Sequence, residues 1–420
     1  MTRNGLFRIS GARIALAAAT LAVLGASSRG TSDPLRFDGE YGLYVRLTED
    51  SAHVGWITAP AQRGWLRAEQ KGQPVHEAGT TADSAHAVAF RYRADLPLVL
   101  HYGSADDTTA RHTTRIDPPP RRRPDVSVRA ADSLFVLGDT HGEFDTMTAV
   151  LRNAGVIDDA LHWKAGRAHL AVLGDVTDRG ADVTRALWFL YRLEREAAEA
   201  GGRVHLVIGN HELMVMLDDL RYVGRKELDV ARLHGVTYDR MFDPRHTVLG
   251  RWLVSKPGLI RIGDVLLAHG GVSTDYLPWT VETVDDTLAA YVQEDLFYHW
   301  ADTTFVAPLD SAGLERRIAF FWSPNSIFWY RGFAQADTLG DELDAVLRRY
   351  RSSILVVGHT PGGTVRQSYD GRLIMTNTVP FGAEVLLLTR TRDGWQRERR
   401  GTSGAAQAVE DATTAATVGR

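Results

Sequence analysis

The feature that most constrains this chain is a set of five short polar motifs, each of which directly follows an apolar run. The motifs are GDTHG, GDVTDRG, GNHE, AHGG and VGHTP, at residues 138–142, 174–180, 209–212, 268–271 and 357–361. The apolar runs alternate with segments of helical periodicity, and this alternation predicts an α/β fold. Because ligands bind beyond the carboxyl ends of strands in such folds, we expect the five motifs to meet at one edge.

The five motifs contain side chains of the types that bind metal ions. Carboxylate, imidazole and amide groups suit Mn, Fe and Zn. The candidate ligands are Asp139, His141, Asp175, Asn210, His269 and His359. Six ligands are too many for one ion that must also leave room for substrate, so the set predicts two ions with Asp175 between them. Paired ions clamp the attacking and leaving oxygens of an in-line displacement, and they lower the pKa of bound water so that a hydroxide nucleophile is available.

Composition excludes several other kinds of chemistry. The chain of 420 residues has no cysteine, so it can form neither a disulfide nor a thiolate metal site, and it has no cysteine nucleophile. Its net charge is −4, and without an excess of basic residues we expect no nucleic acid among its partners. A chain of this length can form two domains with a sizeable core.

The N-terminus resembles an export signal. Arg3, Arg8 and Arg13 precede the apolar run 14–24, and small residues follow it. This arrangement predicts a signal peptide over residues 1–30 and a periplasmic or extracellular protein. The run is too short to span a bilayer, which requires about 20 residues, so we expect no stable membrane span after cleavage. The alternative is an uncleaved N-terminal membrane anchor.

Three further regions differ in composition from the part that carries the motifs. Residues 33–116 alternate between apolar and polar positions, with turn-forming clusters between the runs, and this pattern predicts a small β-sandwich-like domain. Residues 117–131 are rich in proline and arginine, as in a semi-rigid linker. The motifs define a catalytic domain over 132–395. Residues 396–420 are charged and then rich in Ala, Thr and Gly, which predicts a disordered tail.

The five motifs, in this order, resemble those of the phosphoprotein phosphatases in the calcineurin-like metallophosphoesterase superfamily. The segments Leu217–Val223 and Phe328–Gly332 are similar to those of the Shewanella-like protein phosphatases. The resemblance implies a β-sandwich flanked by helices, here preceded by the small all-β domain. It also implies a first metal at Asp139, His141 and Asp175, and a second at Asp175, Asn210, His269 and His359.

The same resemblance implies roles for further residues. His211 corresponds to the general acid that protonates the leaving alcohol, and Asp178 to the carboxylate that orients it. Arg179 and Arg331 correspond to the arginines that hold the substrate phosphate, with Asn210 beside them. These residue types fit the chemistry, since a leaving alkoxide needs a proton, a carboxylate raises the pKa of a neighbouring imidazole, and guanidinium groups bind phosphate bidentately.

We therefore expect a metal-dependent phosphatase in which metal-bound hydroxide attacks a phosphate monoester in line. The expected substrate is a phosphorylated protein or peptide, on Tyr or Ser/Thr, or a small phosphate ester. One alternative is a nucleotide or dinucleoside-polyphosphate hydrolase, because that class shares three of the motifs. Another is an exported binding protein without activity. The segment Met375–Gly382 lacks the tyrosine-bearing motif of the eukaryotic Ser/Thr enzymes, so it does not assign the chain to them.

Overall fold

A computed structural model describes residues 42–120, 122–292 and 311–412 of the chain. The predicted signal peptide at residues 1–30 and the last eight residues of the predicted tail lie outside these ranges. Across the described ranges, no helix combines the length and the apolar character that crossing a bilayer requires.

The first described region is an antiparallel sheet. Its strands are β1 (Tyr44–Leu47), β2 (Ser51–Gln70), β3 (Gln73–Arg91), β4 (Leu98–Ser104) and β5 (Arg111–Ile116). The order is β1-β2-β4-β5, and β3 pairs with β2 along most of its length. The long hairpin of β2 and β3 bends back on itself. The evidence is that the rings of His76 and Phe90 stack at 5.0 Å, although these residues lie far apart on the same strand, β3. The predicted sandwich-like region is therefore one folded sheet, whose interior includes Trp56, Leu66 and Leu100.

Two further sheets make up most of the remaining structure. One has the order β18 (Glu410–Asp411), β13 (Arg366–Ser368), β14 (Leu373–Met375), β12 (Ile354–Val357), β11 (Val265–Ala268), β10 (Leu259–Ile262) and β6 (Ser127–Val128). The other has the order β17 (Ala406–Ala408), β16 (Gly394–Gly401), β15 (Glu384–Thr391), β7 (Ser133–Leu137), β8 (His169–Val172) and β9 (Arg203–Leu206).

The two sheets share one apolar core. Val136 and Leu386 from one sheet belong to the same buried cluster as Ile260, Leu267 and Val356 from the other. Burial on both faces explains why these strands appear in the sequence as nearly continuous apolar runs. The predicted β-sandwich flanked by helices is confirmed.

Helices cover the sandwich on its outer sides. Their bounds are α1 (Phe144–Asn153), α2 (Val183–Glu199), α3 (Asn210–Met216), α4 (Arg225–Leu233), α5 (Val248–Val254), α6 (Val281–Tyr291), α7 (Ser311–Trp322), α8 (Gly332–Gln335) and α9 (Gly340–Arg349). Short 3₁₀ helices occur at Thr108–Ala110, Asp239–Phe242 and Thr274–Tyr276. Helix α2 buries Leu187, Leu190 and Leu193 at helical spacing. It begins three residues after the GDVTDRG motif, so its packing fixes that motif to the core.

The N-terminal sheet is held against the rest of the molecule by hydrogen bonds as well as by apolar packing. The Trp188 indole on α2 donates to the Leu43 carbonyl at 2.9 Å, and the His234 ring donates to the Gly42 carbonyl at 2.7 Å. The Leu47 amide donates to the carbonyl of His246 at 2.7 Å. Side chains of this sheet and of the helices form one continuous core cluster.

Two segments differ from their sequence-based descriptions. The predicted linker at residues 117–131 is fixed to the catalytic region at Arg123, which forms a 2.7 Å ion pair with the buried Asp285 and donates to the Val254 carbonyl. The predicted disorder from residue 396 is wrong up to residue 412, since β16 pairs with β15 along its whole length and two short strands follow. Backbone pairing at a sheet edge orders these polar residues, and composition does not reveal such pairing.

Candidate metal centre

The polar motifs meet where the strands of the sandwich end. Strands β7, β8 and β9 are parallel neighbours in one sheet, and β11 and β12 are parallel neighbours in the other. The turns after these strands carry the six predicted ligands, which are Asp139, His141, Asp175, Asn210, His269 and His359. All six are buried, with exposed fractions of 4% or less. The predicted common edge is thus formed by both sheets of the sandwich, not by one open sheet.

Asp175 lies at the centre of the cluster. Its Oδ2 atom is 3.8 Å from His141 Nε2 and 3.9 Å from His211 Nε2. The same oxygen is 3.3 Å from His269 Nε2. Two groups of potential ligand atoms result, and both include Asp175: one with His141 and His211, the other with His269 and His359. A carboxylate shared by two ligand groups is the arrangement expected of a bridging residue.

The second group is densely packed with metal-ligating atoms. His269 Nε2 is 2.9 Å from Asn210 Oδ1 and 3.1 Å from His359 Nδ1. The Nδ1 atom of His269 lies 2.6 Å from the carbonyl of Leu173, which can only accept, so Nδ1 carries a proton. In the neutral ring, Nε2 then presents its lone pair to the cluster, as a metal ligand requires.

His141 is oriented in the same way. Its Nδ1 atom is 2.9 Å from the Thr177 carbonyl, so it donates there and leaves Nε2 directed at Asp175. The contact is made by the backbone oxygen of Thr177, within the GDVTDRG motif. Carbonyl oxygens therefore set the tautomer of two predicted ligands, one in each group.

Asp139 belongs to neither group of closely spaced ligand atoms but lies beside both. Its Oδ1 atom accepts from the backbone amide of His359 at 2.9 Å, and its Oδ2 atom accepts from the side-chain amide of Asn377. Burial, together with the charge of Asp175, raises the pKa of Asp139 to about 7. A buried carboxyl whose ionisation is disfavoured by a neighbouring carboxylate requires a nearby positive charge, and a metal ion would supply it.

The side chains therefore fit a pair of metal ions. Burial lowers the pKa of His269, but the charge and hydrogen bond of Asp175, the charge of Asp139 and the Leu173 carbonyl together outweigh burial and raise that pKa to about 9. A positive charge is thus stabilised at this position, in a set of nitrogen and oxygen ligands suited to Mn, Fe or Zn. Asp139, His141 and Asp175 would hold one ion, and Asp175, Asn210, His269 and His359 the other.

The backbone at the site has an unusual conformation. His141, Asp175, Asp178, Arg179 and His359 all have φ between 45° and 69°. Non-glycine residues adopt this left-handed region at a cost of about 1–3 kcal/mol each, and such residues are concentrated at functional sites. Gly174 also has positive φ, and a Cβ atom there would lie 2.4 Å from the Gly209 amide nitrogen. Glycine is therefore required where two of the motifs touch.

Glu212 is a site residue to which the sequence analysis gave no role. It is fully buried, and its Oε2 atom accepts from the amides of Asp175 and Gly209 at 2.9 and 2.8 Å. Its Oε1 atom accepts from the amides of Val176 and Thr177 at 2.8 and 3.1 Å. One carboxylate thus fixes the GDVTDRG turn to the GNHE turn. The only signal in the sequence was its place as the fourth residue of GNHE.

The predicted general acid has its predicted partner. His211 Nδ1 is 2.6 Å from Asp178 Oδ2, and both side chains are buried. Burial lowers the pKa of His211, but Asp175 and Asp178 together raise it above its ordinary value. The imidazolium form that a general acid requires is therefore favoured in the protein.

The two predicted phosphate-binding arginines lie on different sides of the cluster. Arg179 donates to His141 Nε2 at 2.5 Å, and its Nη2 atom lies 3.1 Å from His211 Nε2, which can accept only while the His211 ring is neutral. Arg331 directly precedes α8 and donates to the His359 carbonyl at 2.8 Å. Both predicted positions are thus adjacent to predicted ligands.

Two aromatic residues beside Arg179 also had no role in the sequence analysis. The Arg179 Cζ atom is 5.8 Å from the ring centre of Tyr222 and 5.4 Å from that of Phe381. Phe381 contacts His141 edge to face at 4.5 Å, and Tyr222 lies 5.4 Å from the His211 ring. They come from loops far apart in sequence, so no local pattern could have paired them.

Comparison with known proteins identifies the class of this fold and site. The family described as Calcineurin-like phosphoesterase matches residues 133–363, more than half of the chain. The chain therefore belongs to the calcineurin-like phosphoesterase family, as the motifs predicted.

Individual relatives narrow the comparison. Shewanella-like protein phosphatase 2 of Arabidopsis thaliana is 24% identical over 276 residues, which cover 54% of this chain and 66% of the relative. A crystal structure of a mutant cold-active protein tyrosine phosphatase has a TM-score of 0.67 at 25% identity, covering 89% of this chain and 99% of that one. A symmetrical bis(5'-nucleosyl)-tetraphosphatase of Neisseria meningitidis is 27% identical over 164 residues, covering 39% of this chain and 50% of the relative. The chain thus spans slightly less than two thirds of the Arabidopsis protein and half of the Neisseria protein.

Proposed function

We propose that this protein is a metal-dependent phosphatase that hydrolyses phosphate monoesters on phosphorylated proteins or peptides. The observation that carries the proposal is the position of Asp175, whose carboxylate is shared by two buried groups of metal-ligating atoms. The names of the Arabidopsis relative and of the cold-active structure support a phosphoprotein substrate. Bound metal ions would supply a Lewis acid and lower the pKa of water, which phosphate ester hydrolysis requires near neutral pH.

The residues of this chain divide the remaining work among them. The guanidinium groups of Arg179 and Arg331 bind and orient the phosphate, and they balance its charge in the transition state. A bound phosphate competes with His141 for the donors of Arg179. His211 holds a proton at Nε2 for the leaving oxygen, while its Nδ1–H donates to Asp178. The Asp178 carboxylate therefore fixes the ring and stabilises its charged form.

The first test measures phosphate release from a phosphotyrosine peptide, a phosphoserine peptide, ATP and diadenosine tetraphosphate, each with Mn, Fe or Zn after metal removal by a chelator. The proposal expects metal-dependent release from at least one phosphopeptide, faster than from either nucleotide. Faster cleavage of diadenosine tetraphosphate would favour the nucleotide hydrolase, for which the Neisseria relative is the supporting comparison. An absence of turnover on every ester, with no metal bound, would favour a binding protein without activity.

The role of His211 is tested by leaving-group dependence. His211→Asn should lower kcat for a phosphoserine peptide by about 10²–10⁴-fold, the range for loss of general acid catalysis. For p-nitrophenyl phosphate, whose leaving group needs no proton, the loss should be much smaller. Equal losses on both substrates would contradict the assignment of His211 as the acid.

An exported location is also part of this proposal. It depends on the arginines and the apolar run within residues 1–30, and it includes the alternative of an N-terminal anchor. Fractionation of cells that express the full chain, with mass determination of its mature N-terminus, distinguishes a cleaved signal from a retained anchor.

A further inference from the structure

We infer that Tyr222 forms the leaving-group side of the active site and selects phosphate esters of phenols, such as phosphotyrosine, over esters of aliphatic alcohols. The inference rests on the proposed phosphatase function. It deepens that function by naming a specificity residue and the chemical class it favours. Four observations on the described residues carry it: the exposure of Tyr222, its backbone anchoring, its proximity to Arg179, and its proximity to His211.

Tyr222 is unusually exposed for an aromatic residue at a buried site. Its side chain is 45% accessible, whereas Asp178 and His211 beside it are almost completely buried. Along the described ranges, it is the only aromatic among the large apolar side chains that are clearly exposed. An exposed ring at the edge of a polar site can gain free energy by contact with an apolar part of a ligand.

The position of Tyr222 is fixed relative to Arg179. The Arg179 amide donates to the Tyr222 carbonyl at 2.7 Å, so the two backbones are joined directly. Two residues later, Gly224 approaches the DRG turn so closely that a Cβ atom would lie 2.6 Å from the Gly180 carbonyl oxygen. Val223 packs against the main core. The ring is therefore held at the site by an ordered backbone.

Arg179 lies near two aromatic rings that have different neighbours. Phe381 contacts His141, a predicted metal ligand, at 4.5 Å, whereas Tyr222 lies 5.4 Å from His211. Because His211 gives its proton to the leaving oxygen, the group attached to that oxygen must leave the site on the His211 side. Tyr222 is the aromatic ring beside His211, whereas Phe381 lies beside His141.

Contact with Tyr222 should favour an aromatic leaving group. Aromatic pairs interact at centroid separations of roughly 4.5–7 Å, by offset stacking or edge to face, beyond the effect of area burial. A phenyl ester places its ring directly next to the phosphate, within reach of Tyr222. A serine ester has only a short methylene there, and its peptide backbone follows at once.

The test compares kcat/KM for a phosphotyrosine and a phosphoserine peptide of the same flanking sequence, with the metal-loaded full chain. In Tyr222→Leu, the ratio of phosphotyrosine to phosphoserine kcat/KM should fall about threefold to tenfold relative to the unmodified protein, which is the size of one aromatic contact. Tyr222→Phe should restore the ratio, because the ring and not the hydroxyl makes the contact. The intrinsic reactivity of the two esters cancels when ratios are compared.

Phe381→Leu is the matched control, since it removes the other ring near Arg179, the one that contacts His141. It should lower kcat/KM for both peptides by similar factors and leave their ratio within about twofold. The inference is wrong if Tyr222→Leu leaves the ratio unchanged, or if Phe381→Leu shifts it as much. Inhibition of the unmodified protein gives a measurement that needs no variant: phenylphosphonate should bind more tightly than methylphosphonate, and equal affinities would contradict the inference. Failure of the proposed function would look different, because the unmodified protein would then hydrolyse neither peptide.

Discussion

Buried histidines occur both in the N-terminal sheet and at the metal centre, and the two regions satisfy them differently. In the sheet, His86 has hydroxyl partners at both ring nitrogens, with Thr58 Oγ1 at 2.9 Å and Thr80 Oγ1 at 2.6 Å. At the metal centre, His269 and His359 face each other and Asp175, in a cluster that requires positive charge. Both ring nitrogens of His86 have hydrogen-bond partners within the protein, so this network indicates a structural role. The cluster at the metal centre requires a compensating positive charge, so it indicates a site for a cation.

The largest effect is expected on removal of Asp175, the carboxylate that the two ligand groups at the metal centre share. Asp175→Asn should abolish the bridging charge and lower kcat by about 10³-fold or more, the scale of losing a principal electrostatic contribution to catalysis. Metal content measured by elemental analysis should fall in parallel. Asp370→Asn is the control, because Asp370 has a similar positive φ of 56° but a solvent-exposed side chain. If Asp175→Asn kept two ions per chain, Asp175 would not be the bridge.

Glu212 tests whether the backbone around the ligands is held in place by one side chain. Glu212→Gln replaces an acceptor oxygen with a donor that faces backbone amides, so it should cost about 1–3 kcal/mol of stability. Metal affinity or activity should fall about 10–100-fold, as is usual for residues that support ligands. Denaturant unfolding and metal titration measure the two effects.

Glu227→Gln is the matched control for that substitution. Glu227 is also fully buried, but it accepts from the Thr184 amide and hydroxyl, at the start of α2. Activity should stay within about twofold in this variant. If Glu227→Gln lost as much metal affinity as Glu212→Gln, the loss would come from changing any buried glutamate. It would then not depend on the contacts of Glu212 with the turns that carry the ligands.

His86 provides the smallest expected effect, confined to stability. His86→Leu removes partners from two threonine hydroxyls and should cost about 1–3 kcal/mol near pH 8, with kcat/KM unchanged. Burial lowers the pKa of His86 below 6.5, so the unfolded chain binds the extra proton more readily. The stability contributed by neutral His86 is then fully present above pH 6.5 and declines as the pH falls below that value. The difference in stability between the two proteins should therefore narrow from pH 8 to pH 5, and a difference that widened would contradict this account.

Local sequence patterns predicted much of the fold and the site. The apolar runs beside the GDTHG and AHGG motifs form strands in the structure, at Ser133–Leu137 and Val265–Ala268. Both are buried on two faces, so their apolar runs are unambiguous. The ligands follow because each is adjacent in sequence to such a strand. The tail was mispredicted because β16 is an outer strand with many charged residues, and its order comes from pairing with β15.

The sequence by itself determined which chemistry was available, since the residue types of the five motifs and the lack of cysteine restrict it to oxygen and nitrogen ligands. The tertiary structure decided which atoms meet. It placed the Glu212 carboxylate against the amides of two turns, joined the Tyr222 carbonyl to the Arg179 amide, and brought the Phe381 ring to 5.4 Å from that arginine. These contacts connect residues on separate loops, and their distances depend on how two sheets pack. A sequence pattern gives only the residues that are adjacent along the chain. Contacts between residues on separate loops arise only when the sheets and helices pack.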